Sequence, residues 1–184
     1  MKLFKDSLLT VITLVAIHGC GGSGGSGGGA GGGEAAPKTP AQAVAQLEAQ
    51  GKIPSNLDRS NTLAGIDADG NGIRDDVDAH ILKLSAVQQP IARQKARAVQ
   101  AEILVDKTNI QAVREADLKS SKAMACSNFR FPGNSTADGK LRRQVDDEIT
   151  SITTNTKPRL LAYLALSKAL DGTVLVALDG DTCE

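Results

Sequence analysis

From Gly21 to Gly33 the chain is built of Gly and Ser with one Ala, and no other stretch constrains its folding as strongly. Such a run has no side chains with which to bury apolar area, so nothing offsets the entropy of ordering it. Residues 20–39 are therefore expected to form a flexible, linker-like tether. The 184 residues then divide into a leader, 1–19, and a body, 40–184, that has to fold on its own resources. Gly-rich runs also cradle phosphate when they follow a strand and end in Gly-Lys-Ser/Thr. Neither condition is met here, so that reading is set aside.

The leader has three parts. Lys2 and Lys5 supply positive charge, and Leu8 to Ile17 form an apolar run interrupted only by Thr10 and Thr13. Ile17, His18, Gly19 and Cys20 close it. A run of about ten residues is too short to span a bilayer, which takes about 20, and suits a secretory signal instead. The closing residues resemble the bacterial lipobox: an aliphatic residue, a variable one, a small one, then a cysteine that is lipidated. The resemblance implies a signal peptide at 1–19, cleavage before Cys20 and a lipid anchor on Cys20. Because several acyl chains anchor stably where one does not, it also implies attachment to a membrane. Gly21, rather than Asp, follows the cysteine. In a Gram-negative cell this is similar to lipoproteins sent to the outer membrane.

The body carries little to suggest nucleic acid. Twenty-one Lys and Arg balance twenty-one Asp and Glu over the whole chain, so no basic stripe stands out. The body's aromatic residues are Phe129, Phe131 and Tyr163, and there is no Trp. Stacking platforms for bases or sugars are scarce, and a core must be assembled from Ala, Leu, Ile and Val. With Cys20 used by lipid, Cys126 and Cys183 remain as an even pair in an oxidising compartment, which predicts a disulfide.

Periodicity predicts a mainly α, small bundle-like helical domain. A first helix is expected over 41–50, with Pro40 at its first position and Gly51 as its stop. Val77, Ile81, Leu82 and Leu84 are at helical spacing. Pro90 opens a longer helix over 91–105 with Val99, Ile103 and Leu104 inward, and another covers 110–125. Residues 129–139 read as a loop. Leu141, Val145, Ile149 and Ile152 form an apolar stripe. Pro158 opens a last helix through Leu170, carrying Leu160, Leu161, Tyr163 and Leu164. Gly172 ends it, and 173–178 are expected to form a short strand.

The chemically informative stretch is 67–78. Numbered as a twelve-residue loop, it places side-chain oxygens of Asp67, Asp69, Asn71, Asp75 and Asp78 at positions 1, 3, 5, 9 and 12. Calcium takes six to eight oxygens at about 2.3–2.6 Å. A tight loop supplies them when alternate side chains turn inward and one residue adopts positive φ, the role assigned to Gly72. The backbone carbonyl of Ile73 is the expected ligand at position 7. The pattern resembles the calcium loops of EF-hands, dockerins and, most closely, thrombospondin type 3 repeats. It departs from an EF-hand in closing with Asp78 rather than a longer Glu, and in placing Arg74 where an aliphatic residue is usual. The simpler alternative is an acidic turn that caps the helix beginning near Asp75.

Catalytic patterns are weaker. Asp67-x-Asp69 would be an aspartyl nucleophile only after a buried strand, and Thr62 to Ile66 make a poor one. His80 is the only histidine of the body, and a zinc site needs more His or Cys than remain. The order of features, with residues 65–81, Cys126 and Asn155-Thr156-x-x-Arg159, is similar to uncharacterised proteobacterial lipoproteins that join one such loop to a helical body. The expectation is thus a non-enzymatic, extracytoplasmic, lipid-anchored protein with one Ca2+ loop. Its partners would be the membrane and, as an alternative reading, an envelope protein met by a tethered helical interaction module.

Overall fold

Among the residues described by this computed structural model, 39–174 and 177–184, all regular structure is α-helical. The expected signal, Cys20 and the tether up to residue 38 lie outside the described residues. Six helices follow in order: α1 Pro40–Ala49, α2 Asp75–Ile81, α3 Gln89–Leu104, α4 Ile110–Arg130, α5 Ala137–Thr153 and α6 Lys157–Ala169.

Each start has a local cause. Thr39 caps α1 reciprocally: its hydroxyl accepts from the Gln42 N–H while the Gln42 side chain accepts from the Thr39 N–H, satisfying two otherwise unpaired donors. Asn109 caps α4 by accepting from Gln111 and Ala112, and the Thr136 hydroxyl caps α5 by accepting from Gly139. Pro residues stand in the first turn of α1, α3 and α6, where a missing N–H costs nothing.

Helix α3 is central and packs against α2, α4, α5 and α6. Its buried Ala92, Ala96 and Ala98 let neighbouring backbones approach closely, which is how a chain poor in aromatic residues reaches native packing density. The main core joins Ile73, Val77, Ile81, Ile91, Ala92, Ala96, Cys126, Phe131, Val145, Ile149 and Ile152. A second cluster forms from Val113, Ala116 and Leu166. The stripe on α5 is inward as expected, with Leu141 packed against the main core.

Several local expectations are corrected. Leu82 and Leu104 are exposed. Leu82 follows the end of α2, and Leu104 is the last residue of α3, where its neighbours Ile103 and Val105 take the inward positions instead. Helix α4 continues through Phe129 and Arg130 into the segment expected as loop, because Cys126 and Phe131 are both core positions. Residues 173, 174, 177 and 178 belong to no strand; Leu175 and Val176 lie outside the described residues. The tail is instead held by side chains. Cys183 is disulfide-bonded to Cys126, the Gln94 side chain donates to the Thr182 carbonyl at 3.0 Å, and the Thr182 hydroxyl donates to the Lys122 carbonyl at 2.6 Å.

Candidate metal centre

The acidic loop enters α2 over a buried anchor. Ile73, Val77 and Ile81 are all in the main core, so the chain is fixed immediately below the loop. Between them lies Arg74, 1 % exposed. Its guanidinium forks onto Asp76, donating Nε to Oδ1 at 2.9 Å and Nη2 to Oδ2 at 2.7 Å. It also donates to the carbonyls of Thr153 and Ile152 at the end of α5, at 2.9 and 3.2 Å. A buried charge is tolerable only when it is paired and its donors are used, and four bonds meet that requirement.

A second buried cation completes the frame. Arg159, 0 % exposed, donates to the Thr62 and Asp58 carbonyls at 3.0 and 2.6 Å and to Asp58 Oδ2 at 2.8 Å. Asp58 in turn donates its N–H to Asp76 Oδ2 at 2.7 Å, so the two arginine clusters are joined. Asn155 adds a bond from its side-chain amide to the Asp58 carbonyl, and its Oδ1 accepts from Arg159. The Gln100 side chain donates to the Ala64 carbonyl at 2.9 Å. The irregular segment 58–66 is thus tied to α2, α3, α6 and the α5–α6 connection without secondary structure of its own.

These bonds set the charge states. The Ser60 N–H, against opposing burial, and then the Ser60 hydroxyl and Arg159 hold the Asp58 carboxyl down to about 2. At Asp76 burial raises the pKa, but the Arg74 bonds, the Asp58 N–H and the Arg74 charge outweigh it, and the net shift is downward.

On this frame the loop folds inward. Carboxylate oxygens of Asp67, Asp69 and Asp75 lie within 4.8 Å of one another. Asp67 accepts from the N–H groups of Asn71 and Gly72, at 3.1 and 2.9 Å. Asp69 accepts from the Asn71 N–H at 3.2 Å and the Asn71 side-chain amide at 2.9 Å. Asp75 accepts from the Ala68 N–H at 3.0 Å, and the Asp75 N–H donates to the Ile66 carbonyl at 2.8 Å. Two glycines, not one, make the turn: Gly70 at φ +68° and Gly72 at φ +80°.

The six residues expected as ligands are therefore distributed unevenly. Asp67, Asp69 and Asp75 converge. Asn71 lies among them, with its Oδ1 accepting from the Ile73 N–H at 2.8 Å. The Ile73 side chain belongs to the core. Asp78 is one turn into α2 and forms an ion pair with Arg93 of α3, outside the trio. Arg74, which marked a departure from the EF-hand pattern, proves to be the pin beneath the loop. The sequence signal for it was weak, an Arg two residues before an Asp, and nothing local announced a partner in α5.

The chemistry of the trio suits a hard cation. Among the described residues, no ion pair engages Asp67, Asp69 or Asp75. Like charges at such a spacing repel one another. Each carboxylate oxygen that takes one N–H keeps a further lone pair, so the loop's own bonds leave coordinating capacity. His80, by contrast, is committed, with its Nε2 2.7 Å from Glu148 Oε1.

No protein-family model, no curated protein and no solved structure matches this chain.

Proposed function

We propose that the chain is a non-enzymatic extracytoplasmic lipoprotein, anchored through Cys20, in which residues 67–78 form a structural Ca2+ loop. The convergence of the Asp67, Asp69 and Asp75 carboxylates without a protein cation among them carries the calcium reading. Asn71 and the Ile73 carbonyl would complete an oxygen set of the kind calcium takes. Asp78 would reach it only by leaving Arg93, so its place in the set is the weakest. Asp is one methylene shorter than the Glu that closes an EF-hand, which points to weak binding. Weak binding suffices outside the cytoplasm, where calcium modules work at dissociation constants of about 10⁻⁴–10⁻³ M.

The bound ion would relieve the repulsion and fix the loop against the Arg74 frame. The lipid anchor rests on the resemblance of residues 17–20 to the lipobox and on the Gly/Ser composition that follows.

Calorimetric titration of the protein with calcium tests the loop, comparing wild type with Asp67→Ala/Asp69→Ala. Wild type is expected to bind one ion in the millimolar range or tighter and the variant to bind none. If neither binds at millimolar calcium, the loop is only an acidic turn leading into α2, and its carboxylates serve only the N–H groups of Ala68, Asn71 and Gly72 that they already accept from. The protein would then be a tethered helical interaction module.

A further inference from the structure

We infer that the outward face of α6 rests on an anionic lipid bilayer. Helix α6, Lys157–Ala169, buries only Arg159 and Leu166 fully. Leu160, Leu161 and Leu164 remain 44, 55 and 53 % exposed. Scattered exposed leucines are ordinary, but these are not scattered. At about 100° per residue they fall within an arc of about 100°, and Lys157 and Lys168 fall inside the same arc.

The helix contains no Asp or Glu. Its outward face is therefore leucine in the middle and lysine at both ends. That arrangement lies flat at a headgroup boundary, with the leucines entering it and the lysine stems reaching up to phosphate. A protein partner would need a groove with acidic ends, whereas an anionic bilayer presents matching charge along the whole helix.

Three half-exposed leucines and two lysines are too few to hold a free domain on lipid. The inference accordingly rests on the anchored reading, which supplies the missing local concentration. Eighteen residues lie between Cys20 and Thr39. A Gly/Ser tether of that length, as the composition leads one to expect, would have a root-mean-square reach of roughly 25 Å. A short linker of this kind raises the effective concentration of a second contact to the millimolar range, where a weak surface becomes occupied.

The chain has no Trp, so Leu164→Trp introduces a single emitter on this face, and Leu160→Trp is an independent second. Each full chain, expressed with its own leader, is reconstituted into vesicles of phosphatidylethanolamine and phosphatidylglycerol, with or without brominated acyl chains. The expected result is blue-shifted emission, reduced by about half in brominated lipid, as for a helix at the acyl boundary. Reversal of both lysines, Lys157→Glu/Lys168→Glu, should restore a water-like spectrum.

Water-like, unquenched emission from both Trp variants on a chain shown by mass spectrometry to carry acyl groups on Cys20 overturns the inference and leaves the anchor standing. A chain without those acyl groups overturns the anchor. Quenching of that chain when it is added to excess anionic vesicles would still support the surface, and absence of quenching there would overturn both. Blue-shifted emission without lipid, in a sedimenting dimer, would assign the face to a second copy instead and overturn the inference.

Discussion

Two arginines hold the irregular 58–66 segment and the base of the acidic loop, and both are invisible to a hydrophobicity pattern. Arg74 is enclosed by Asp76 and the carbonyls of Thr153 and Ile152, with the acidic loop above it. Arg74→Met keeps the volume but leaves the Asp76 carboxylate without its charge partner and both carbonyls without donors. Removing one member of a buried ion pair typically costs about 3–5 kcal/mol, and a loss of that size is the expected result in urea unfolding. Arg74→Met/Asp76→Asn should lose less than the two single losses combined, because the residual charge is gone. An unchanged midpoint for Arg74→Met would show that the fork adds nothing to stability. The sequence could not disclose this arrangement, since Arg159 meets Asp58 across 101 residues. What it did disclose was the acidic spacing of the loop, because the convergence of Asp67, Asp69 and Asp75 is set within one short segment.

Helices were legible where an apolar stripe ran through them, as along α5, and less so at their ends: the segment 129–139 expected as loop gives residues 129 and 130 to α4 and, behind the Thr136 cap, 137 to 139 to α5. One position in α5 runs against propensity. Gly139 sits in the first turn, where Ala would be favoured by about 1 kcal/mol. A Cβ there would lie 1.7 Å from the Gly133 carbonyl oxygen, which is backbone and has little room to retreat. Steric exclusion outweighs propensity, so Gly139→Ala is expected to destabilise by about 1–3 kcal/mol; a gain in thermal midpoint would contradict the close approach. The tail shows the converse, a segment ordered without periodicity. Cys183 is joined to Cys126 at a sequence separation of 57, and loop closure of that length is worth about 4 kcal/mol in the chain-entropy model. Reduction, or Cys126→Ala/Cys183→Ala, should lower stability by up to that amount and raise hydrogen exchange in 178–184 before the helices. The even cysteine count made the pair legible. The glutamine and threonine contacts that hold the same tail were not, because each joins residues 60 or more apart.

At the scale of the molecule, two sets of carboxylates among the described residues, one held down and one pushed up, respond oppositely to acid. At the junction of the 58–66 segment with α2 and α6, Asp58 and Asp76 are held below the ordinary value of 3.8. Along α3, α4 and α5 the opposite holds. Burial pushes Glu102 above its ordinary 4.5, and the Ser120 bond and the Lys95 and Lys107 charges offset only part of it. Burial likewise raises Asp117 and Asp146 above 3.8. Glu102 is 5 % exposed, and its Oε2 accepts no hydrogen bond, so its charged form is poorly solvated. A raised carboxyl binds its proton more readily folded than unfolded, so stability increases as pH falls from the folded value toward the ordinary one. A lowered carboxyl contributes stability in full above its unfolded value, and that contribution is lost as pH falls from about 3.8 toward the folded value, about 2 for Asp58. Urea midpoints measured in EDTA from about pH 7 to about pH 2 should therefore rise on mild acidification, pass a maximum near the ordinary carboxylate range and then fall. EDTA removes any contribution from an ion in the loop, so the curve reports the fold alone. Glu102→Gln should flatten the rise and leave the acid limb intact, while Asp58→Asn should shrink the acid limb and leave the rise. A steady decline from neutral pH in the wild type would mean that the buried carboxylates of the helical core are solvated well enough to carry charge without penalty, and the two populations would collapse into one.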